Sequence, residues 1–171
     1  MNNVMIDIST LDLVPTSAII EIGAVIFDDD FIIHGDFHTF ICPICVYDEE
    51  FSVSKSTTDY WKSAYPDRLD KVMNSEIQLH KALLDFNEFI YKSDVDLFWC
   101  QDKSFDIAIL NHAYSVTNQR PLWKSYNTVE LSTLLKVANQ KRVTINVQSK
   151  TNTCIDNCLG QVEALKNLLS V

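Results

Sequence analysis

Apolar residues recur at every second position near the start of the chain, a pattern typical of β-strands. Val4, Ile6 and Ile8 stand at alternate positions of the first such segment. Two further runs, 19–27 and 31–41, are rich in β-branched and aromatic residues, and three consecutive aspartates between them indicate a turn. We therefore predict three successive strands that form an antiparallel meander.

The middle and the end of the chain instead show apolar residues at a spacing of three to four, which is typical of amphipathic helices. This spacing predicts four helices, over residues 75–91, 104–116, 128–138 and 152–169. A short apolar run at 96–100 predicts a strand between the first two helices. The predicted order of elements, three strands and then a strand among helices, indicates an α/β fold.

The composition agrees with one compact domain that spans residues 1–171. The chain is 47% hydrophobic and has only 3 glycines and 4 prolines, so it can bury a sizeable core and shows no linker-like stretch. No apolar run reaches the roughly 18 residues of a membrane-spanning helix, and the start of the chain lacks the features of a signal peptide. We therefore expect no membrane segment and a cytoplasmic location in the cell that makes the protein.

The formal net charge is −9, from 23 acidic and 14 basic residues. Affinity for nucleic acid comes largely from Lys and Arg side chains that neutralise phosphates. The charge therefore disfavours nucleic acid as a partner. Because an acidic protein can still carry a local basic rim, nucleic-acid binding stays open.

Four segments carry motifs in a fixed order along the chain. They are MIDISTL at 5–11 with SAIIEIGAVIFD at 17–28, TTDYWK at 57–62, FWCQDKSFDIAIL at 98–110, and NTCIDNCLGQV at 152–162. In this order they resemble the motifs of DEDDh 3'-5' exonucleases, in the phage-type and ribonuclease AS-like branch. The resemblance implies a ribonuclease H-like α/β fold, with a mixed central sheet of a three-strand antiparallel meander plus parallel strands, flanked by helices.

The resembled family holds two divalent metal ions with four acidic residues and uses a histidine as general base, since hard cations require several carboxylate oxygens. Here Asp7 and Asp106 match two of the acids. Ser9 stands where the family has Glu, Asn157 where it has the last Asp, and Asn152 where it has the His. Removal of a general base alone costs about 10² to 10⁴ in rate. We therefore expect no catalytic residues at these positions, and no cofactor.

Two interpretations of the retained acids stay open. Asp7 and Asp106 form a polar pair that is hydrogen-bonded to Ser9, Asn152 and Asn157, or they bind one Mg²⁺ or Mn²⁺ ion weakly and support residual activity. Asp156 is the obvious substitute acid, but neighbouring positions on a helix point about 100° apart. None of the four histidines lies at the base position: His34, His38, His80, His112.

Tyr60, Trp61 and Phe105 are candidates for a substrate channel, because the resemblance places the first two beside it and aromatic rings stack on nucleobases. Phe105 is also a candidate for the core, together with Trp99 and Trp123. Few basic side chains are available to follow a phosphate backbone around such a channel: Lys55, Lys62, Lys103.

Cys42 and Cys45 have CxxC spacing, and Cys154 and Cys158 lie four positions apart on one helix face. Four thiolates in a tetrahedron would bind Zn²⁺. The alternative, reduced thiols packed as small apolar groups, is the usual state in the cytoplasm, and we favour it.

The sequence predicts a catalytically inactive pseudo-exonuclease that acts as a protein-interaction module. A phage or mobile-element inhibitor of a host nucleic-acid-handling or defence complex would fit its size and acidity. The alternative is a weakly active, metal-dependent 3'-5' exonuclease or a nucleic-acid end-binder. A homodimer through the 75–91 helix also stays open.

Overall fold

The structure is a computed structural model that describes residues 1–43, 50–140 and 153–169. Its centre is a five-stranded sheet in the order β3-β2-β1-β4-β5. The strands are β1 (Asn3–Thr10), β2 (Ile19–Phe27), β3 (Ile33–Phe40), β4 (Leu97–Cys100) and β5 (Thr128–Glu130). The first three strands pair antiparallel, while β1 with β4 and β4 with β5 are parallel. The predicted mixed sheet is confirmed.

Helices surround this sheet. They are α1 (Lys55–Ala64), α2 (Pro66–Met73), α3 (Leu79–Lys92), α4 (Ala108–Val116), α5 (Leu131–Gln140) and α6 (Cys154–Leu169). A π-helical turn, Lys103–Ile107, leads into α4, and a short 3-10 turn, Ser125–Asn127, precedes β5. None of the helices in the described ranges is both long and apolar enough to cross a bilayer.

Several boundaries differ from the sequence prediction. The predicted helix 128–138 begins only at Leu131, because Thr128–Glu130 pairs with β4 as the edge strand. The predicted helix 75–91 begins at Leu79. Sequence analysis missed α1 and α2, although the Ser54 side chain caps α1 and Pro66 opens α2 at a position where helices accept proline.

Alternation along β1 places its side chains on two faces of the sheet. Val4, Ile6 and Ile8 belong to the larger core cluster, which includes side chains of α3 and α4. Met5 belongs to a second cluster with residues of α5 and α6. Since Asp7 and Ser9 follow Met5 at alternate positions, they point toward the side of the sheet that α6 covers.

Helix α6 approaches β2 so closely that only a glycine fits between them. A Cβ atom on Gly23 would lie 2.5 Å from Cβ and 2.6 Å from the carbonyl carbon of Cys154. Gly23 is also the cross-strand partner of Asp7. The missing side chain therefore lets the first turns of α6 reach the polar positions of β1.

Candidate active site

Asp7 lies at the centre of the candidate site, and amide groups of α6 occupy both of its oxygens. Nδ2 of Asn157 donates to Oδ2 at 3.0 Å, and Nε2 of Gln161 donates to Oδ1 at 3.3 Å. Asp7 is 8% exposed. Burial raises the pKa of Asp7 to about 6, although the amide hydrogen bonds act in the opposite direction.

Asp106 lies in the π-helical turn after β4 and is buried. Its Oδ2 accepts from the backbone N–H of Asp102 at 3.1 Å, and its own N–H donates to the Asp102 carbonyl at 2.8 Å. Burial and the negative charge of Asp7 raise the pKa of Asp106 well above its usual value. Burial thus makes ionisation of both retained carboxyls more costly than it is in water.

Ser9 does not contact the acids as the sequence analysis expected of the polar pair. Its Oγ accepts from Nη2 of Arg68 at 2.8 Å and lies 3.2 Å from Sγ of Cys154. The hydroxyl at the position of the family glutamate is therefore bonded to a guanidinium group, whereas Asp7 is bonded to amides. Asn152, the third expected partner, lies outside the described residues.

Glu21 on β2 holds Arg68 in a buried ion pair that the sequence analysis missed. Oε2 of Glu21 accepts from Nε of Arg68 at 2.9 Å and also from Nη2. Oε1 lies 2.6 Å from Nε2 of His38 and accepts from the N–H of Cys154 at 3.2 Å. Burial alone would raise the pKa of Glu21, but the His38 hydrogen bond and the Arg68 charge lower it overall.

A signal for this pair was present in the sequence. Glu21 is the only charged residue in the apolar strand Ile19–Phe27, and a carboxylate inside a buried strand requires a charged or hydrogen-bonding partner. The identity of that partner depends on how α2 packs, since Arg68 is 47 positions away.

The guanidinium of Arg68 lies over aromatic rings. Its central carbon is 4.8 Å from the ring centroid of Trp61 and 5.8 Å from that of Tyr65. Trp61 is itself buried and donates from Nε1 to the carbonyl of Thr10 at 2.9 Å. Trp61 thus lies beside the site, and the guanidinium of Arg68 lies over its ring.

A cleft of about 570 Å³ lies beside these groups and is lined by Ser9, Trp61, Arg68 and Asn157. Tyr60 and Phe105, two further channel candidates, also line it, and Tyr60 is 54% exposed. Arg68 is the one cationic residue among the described residues that line this cleft. Lys103 donates to the Thr128 carbonyl at 3.0 Å, and Lys55 pairs with Asp59 at 2.5 Å on α1.

Asp156 has a local role at the start of α6. Its N–H donates to Oγ1 of Thr153 at 3.2 Å, and its Oδ2 accepts from the same hydroxyl at 2.8 Å. This reciprocal arrangement resembles a helix cap.

The histidines lie in several different surroundings. His38 bonds Glu21, His34 bonds Asp28 and His112 bonds the carbonyl of Glu50. His80 bonds Gln119.

The cysteines of the zinc alternative lie partly outside the described residues, since Cys45 belongs to the undescribed segment 44–49. Cys42, Cys154 and Cys158 are buried and free. Burial, with the charges of Asp7 and nearby carboxylates, raises the pKa of the Cys154 and Cys158 thiols well above the usual value. This disfavours the thiolate form that zinc requires.

The residues present do not fit the two-metal centre that the resemblance implies. Both oxygens of Asp7 face amide donors, and the hydroxyl of Ser9 faces a cation. Over 1–43, 50–140 and 153–169, no three His, Cys, Asp or Glu side chains group in a way that could hold a metal ion. A divalent ion would have to displace hydrogen-bond donors and lie close to a guanidinium charge.

Comparison with known proteins gives a family match over nearly the whole chain. The model of the 3'-5' exoribonuclease Rv2179c-like domain matches residues 2–169. A search of curated proteins gives no match.

Solved structures share the fold at low sequence identity. The nuclease domain of 3'hExo, a DEDDh family member bound to rAMP, superposes with a TM-score of 0.70 and 12% identity, over 99% of this chain and 92% of that one. Exonuclease I of E. coli in complex with an oligonucleotide gives 0.76 and 10%, over 99% of this chain and 40% of its own. Exonuclease I of Methylocaldum szegediense gives 0.75 and 10%, over 98% and 40%. The chain thus spans about two-fifths of the exonuclease I chains, and its fold is the ribonuclease H-like exonuclease fold.

Proposed function

Because the chain belongs to the family of Rv2179c-like 3'-5' exoribonuclease domains, within the DEDDh exonuclease superfamily, we propose that it is a catalytically inactive member that acts as a protein-interaction module. One observation carries the proposal of inactivity. Asn157 donates to Asp7 at 3.0 Å, where the resembled family places its last carboxylate. An amide donor at this point satisfies the acid and removes one anionic ligand.

The electrostatics of the site support this proposal. Hard cations such as Mg²⁺ require several carboxylate oxygens, whereas Ser9 and Asn157 replace two of the four acids of the resembled family and both oxygens of Asp7 accept amide hydrogen bonds. The sequence also has Asn152 in place of the general base, a change that alone costs about 10² to 10⁴ in rate. Residues of one catalytic unit depend on one another for their effect on the rate. We therefore expect no detectable shortened product.

The acidic composition supports a protein partner with a basic surface. A net charge of −9 gives electrostatic complementarity to a groove that normally binds nucleic acid, and such complementarity favours association. We propose a phage or mobile-element factor that inhibits a host nucleic-acid-handling or defence complex in the cytoplasm of the host cell.

The test of inactivity is a trimming assay with 3'-labelled and 5'-labelled single-stranded RNA and DNA in Mg²⁺ and in Mn²⁺. We expect no shortened product under conditions in which an active DEDDh exonuclease degrades both substrates. Metal-dependent trimming that the substitutions Asp7→Ala and Asp106→Ala both abolish would overturn the proposal, because it would show a working site.

The partner is tested separately, by co-purification from the host with the tagged protein as bait. We expect one protein in stoichiometric amount, released by raised salt because acidic and basic surfaces attract less at high ionic strength. If no preparation contains such a partner protein, the proposed role as an interaction module is wrong, but the result says nothing about catalysis.

A second candidate function, binding of a nucleic-acid end without cleavage, is favoured by the aromatic cleft. Tyr60 is more than half exposed at its wall, and stacking on an aromatic ring contributes about 1–3 kcal/mol per base. Fluorescence anisotropy with a single-stranded oligonucleotide tests it. Tyr60→Ala should weaken binding by about tenfold or more, whereas Tyr126→Ala, at a residue that is 86% exposed and does not line the cleft, should leave it unchanged.

A further inference from the structure

We infer that Arg68 is the resident cation of this site and takes the place of a divalent metal ion. The inference rests on the proposed loss of two-metal chemistry and concerns the positive charge that the fold itself places beside Ser9 and Glu21. Arg68 is 8% exposed, so its charge is costly unless a carboxylate compensates it. Glu21, which is fully buried, provides that carboxylate through Nε and Nη2 of Arg68.

The register of the sheet explains why one guanidinium serves two strands. Ser9 on β1 and Glu21 on β2 are direct cross-strand partners, so their side chains lie side by side on one face. Nη2 of Arg68 donates to both. The next pair on this face is Asp7 with Gly23, about 7 Å along the strand. The guanidinium therefore binds the pair that adjoins the pair of Asp7, one step along the same face of the sheet.

Arginine suits this position better than lysine. The planar guanidinium donates several hydrogen bonds in fixed directions and stacks on aromatic faces. Here it bonds Glu21 and Ser9 while it lies over Trp61 and Tyr65. The side chain of Ser9 is short, so the guanidinium can lie beside it and donate to its Oγ at 2.8 Å.

Removal of the guanidinium leaves Oε2 of Glu21 and Oγ of Ser9 without the donor that binds both of them. Glu21 would keep its charge because His38 and the Cys154 N–H still bond it, and Asp7 and Ser9 lie on the same face. Oxygen atoms of this kind are the ligands that Mn²⁺ and Mg²⁺ prefer. A variant without the guanidinium is therefore expected to accept the ion that the wild-type site excludes.

The experiment is thermal unfolding of the full chain in EDTA, in Mg²⁺ and in Mn²⁺. The wild type should show the same Tm in all three. Arg68→Met should lower the Tm in EDTA by roughly 10 °C, because it leaves Glu21 as an unpaired buried charge. Saturating Mn²⁺ should raise the Tm of this variant by about 5–10 °C. The matched control, Arg68→Met with Glu21→Gln, has no unpaired charge and should not respond to Mn²⁺.

The outcomes separate this inference from the proposed function. If Mn²⁺ changes the Tm of neither the wild type nor Arg68→Met, the inference about Arg68 is wrong, whereas the proposal of an inactive site is unaffected. A wild type that Mn²⁺ stabilises and that trims an oligonucleotide overturns both. If Arg68→Met does not fold, Arg68→Gln, which removes the charge but keeps an amide donor for Glu21, is measured in the same way. Its Tm should rise in Mn²⁺ by less than that of Arg68→Met, because the ion must displace this donor, and no rise at all would contradict the inference.

Discussion

Asn157 and Asp7 lie 150 positions apart in sequence, and the amide nitrogen of one donates to a carboxylate oxygen of the other at 3.0 Å. The second oxygen of Asp7 accepts from Gln161, one helical turn further along α6. Asp7 is thus satisfied by neutral donors on one helix face. Such an arrangement suits a hydrogen-bonded acid better than a metal ligand. The stability of the folded protein should therefore depend on the protonation of Asp7.

The first prediction concerns pH. Burial raises the folded-state pKa of Asp7 from 3.8 to about 6, so the folded state binds the proton more tightly than the unfolded chain. The contribution of Asp7 to stability is full below about pH 4 and is lost as pH rises through about 6, by roughly 3 kcal/mol. Asp7→Asn removes this loss, and its gain over the wild type should therefore grow between these two pH values.

Urea unfolding at several pH values measures this difference. Asp70→Asn, which removes an acid from an exposed position of α2, is the matched control for a general change of charge. An Asp7→Asn variant whose stability follows the wild type in parallel across the whole range would show that Asp7 is not the titrating group.

The second prediction concerns the partner of Asp7. Asn157→Asp places two carboxylates at the distance that now separates an acid from its donor, and such a pair cannot ionise fully. We expect the free energy of unfolding to fall by about 2 kcal/mol or more at neutral pH. Much of this loss should disappear at about pH 4–5, where the pair shares a proton. Thermal unfolding at both pH values tests it, with Asn167→Asp on the exposed face of α6 as control. Equal losses in the two variants would count against the contact.

The third prediction concerns the ion pair of Glu21 and Arg68. Either Glu21→Gln or Arg68→Met leaves one buried charge without its partner and should cost about 3–5 kcal/mol. The double variant should cost less than the sum by about 2 kcal/mol or more, because neither charge remains. A double-mutant cycle by urea unfolding gives this coupling energy. The exposed pair Lys55 and Asp59 provides the comparison, and there a coupling below about 1 kcal/mol is expected.

The fourth prediction concerns the contact between α6 and β2. Gly23→Ala would place a Cβ 2.5 Å from Cβ of Cys154, so the helix must move away from the sheet. We expect a loss of about 3 kcal/mol, at the upper end for overpacking, because part of the obstacle is backbone. At Gly35 the nearest atom, in Phe89, is 3.8 Å away, and Gly35→Ala should change stability by about 1 kcal/mol or less. Equal free energies of unfolding for the two variants would contradict the close approach.

Much of the fold was predictable because burial leaves a periodic trace in the sequence. The strand Ile19–Phe27 was predicted with its observed bounds, since every position in it is buried and apolar or small except Glu21. Helices α1 and α2 were not predicted. Their residues are mostly polar, and each helix buries only one or two side chains, Trp61 in α1 and Arg68 with Val72 in α2. Both helices are also short, with 10 and 8 residues, so they offer few apolar positions from which helical spacing can be recognised.

The sequence by itself determined the family motifs, the sheet-forming pattern and the replacement of acids and a base by Ser9, Asn152 and Asn157, because residue identity and spacing are local properties. Only the tertiary structure decided the partners of the retained groups. Asp7 contacts α6 because Gly23 permits a close approach of that helix. Glu21 binds Arg68 because α2 packs over the cross-strand pair of Ser9 and Glu21. Contacts between distant segments depend on packing, which periodicity does not encode.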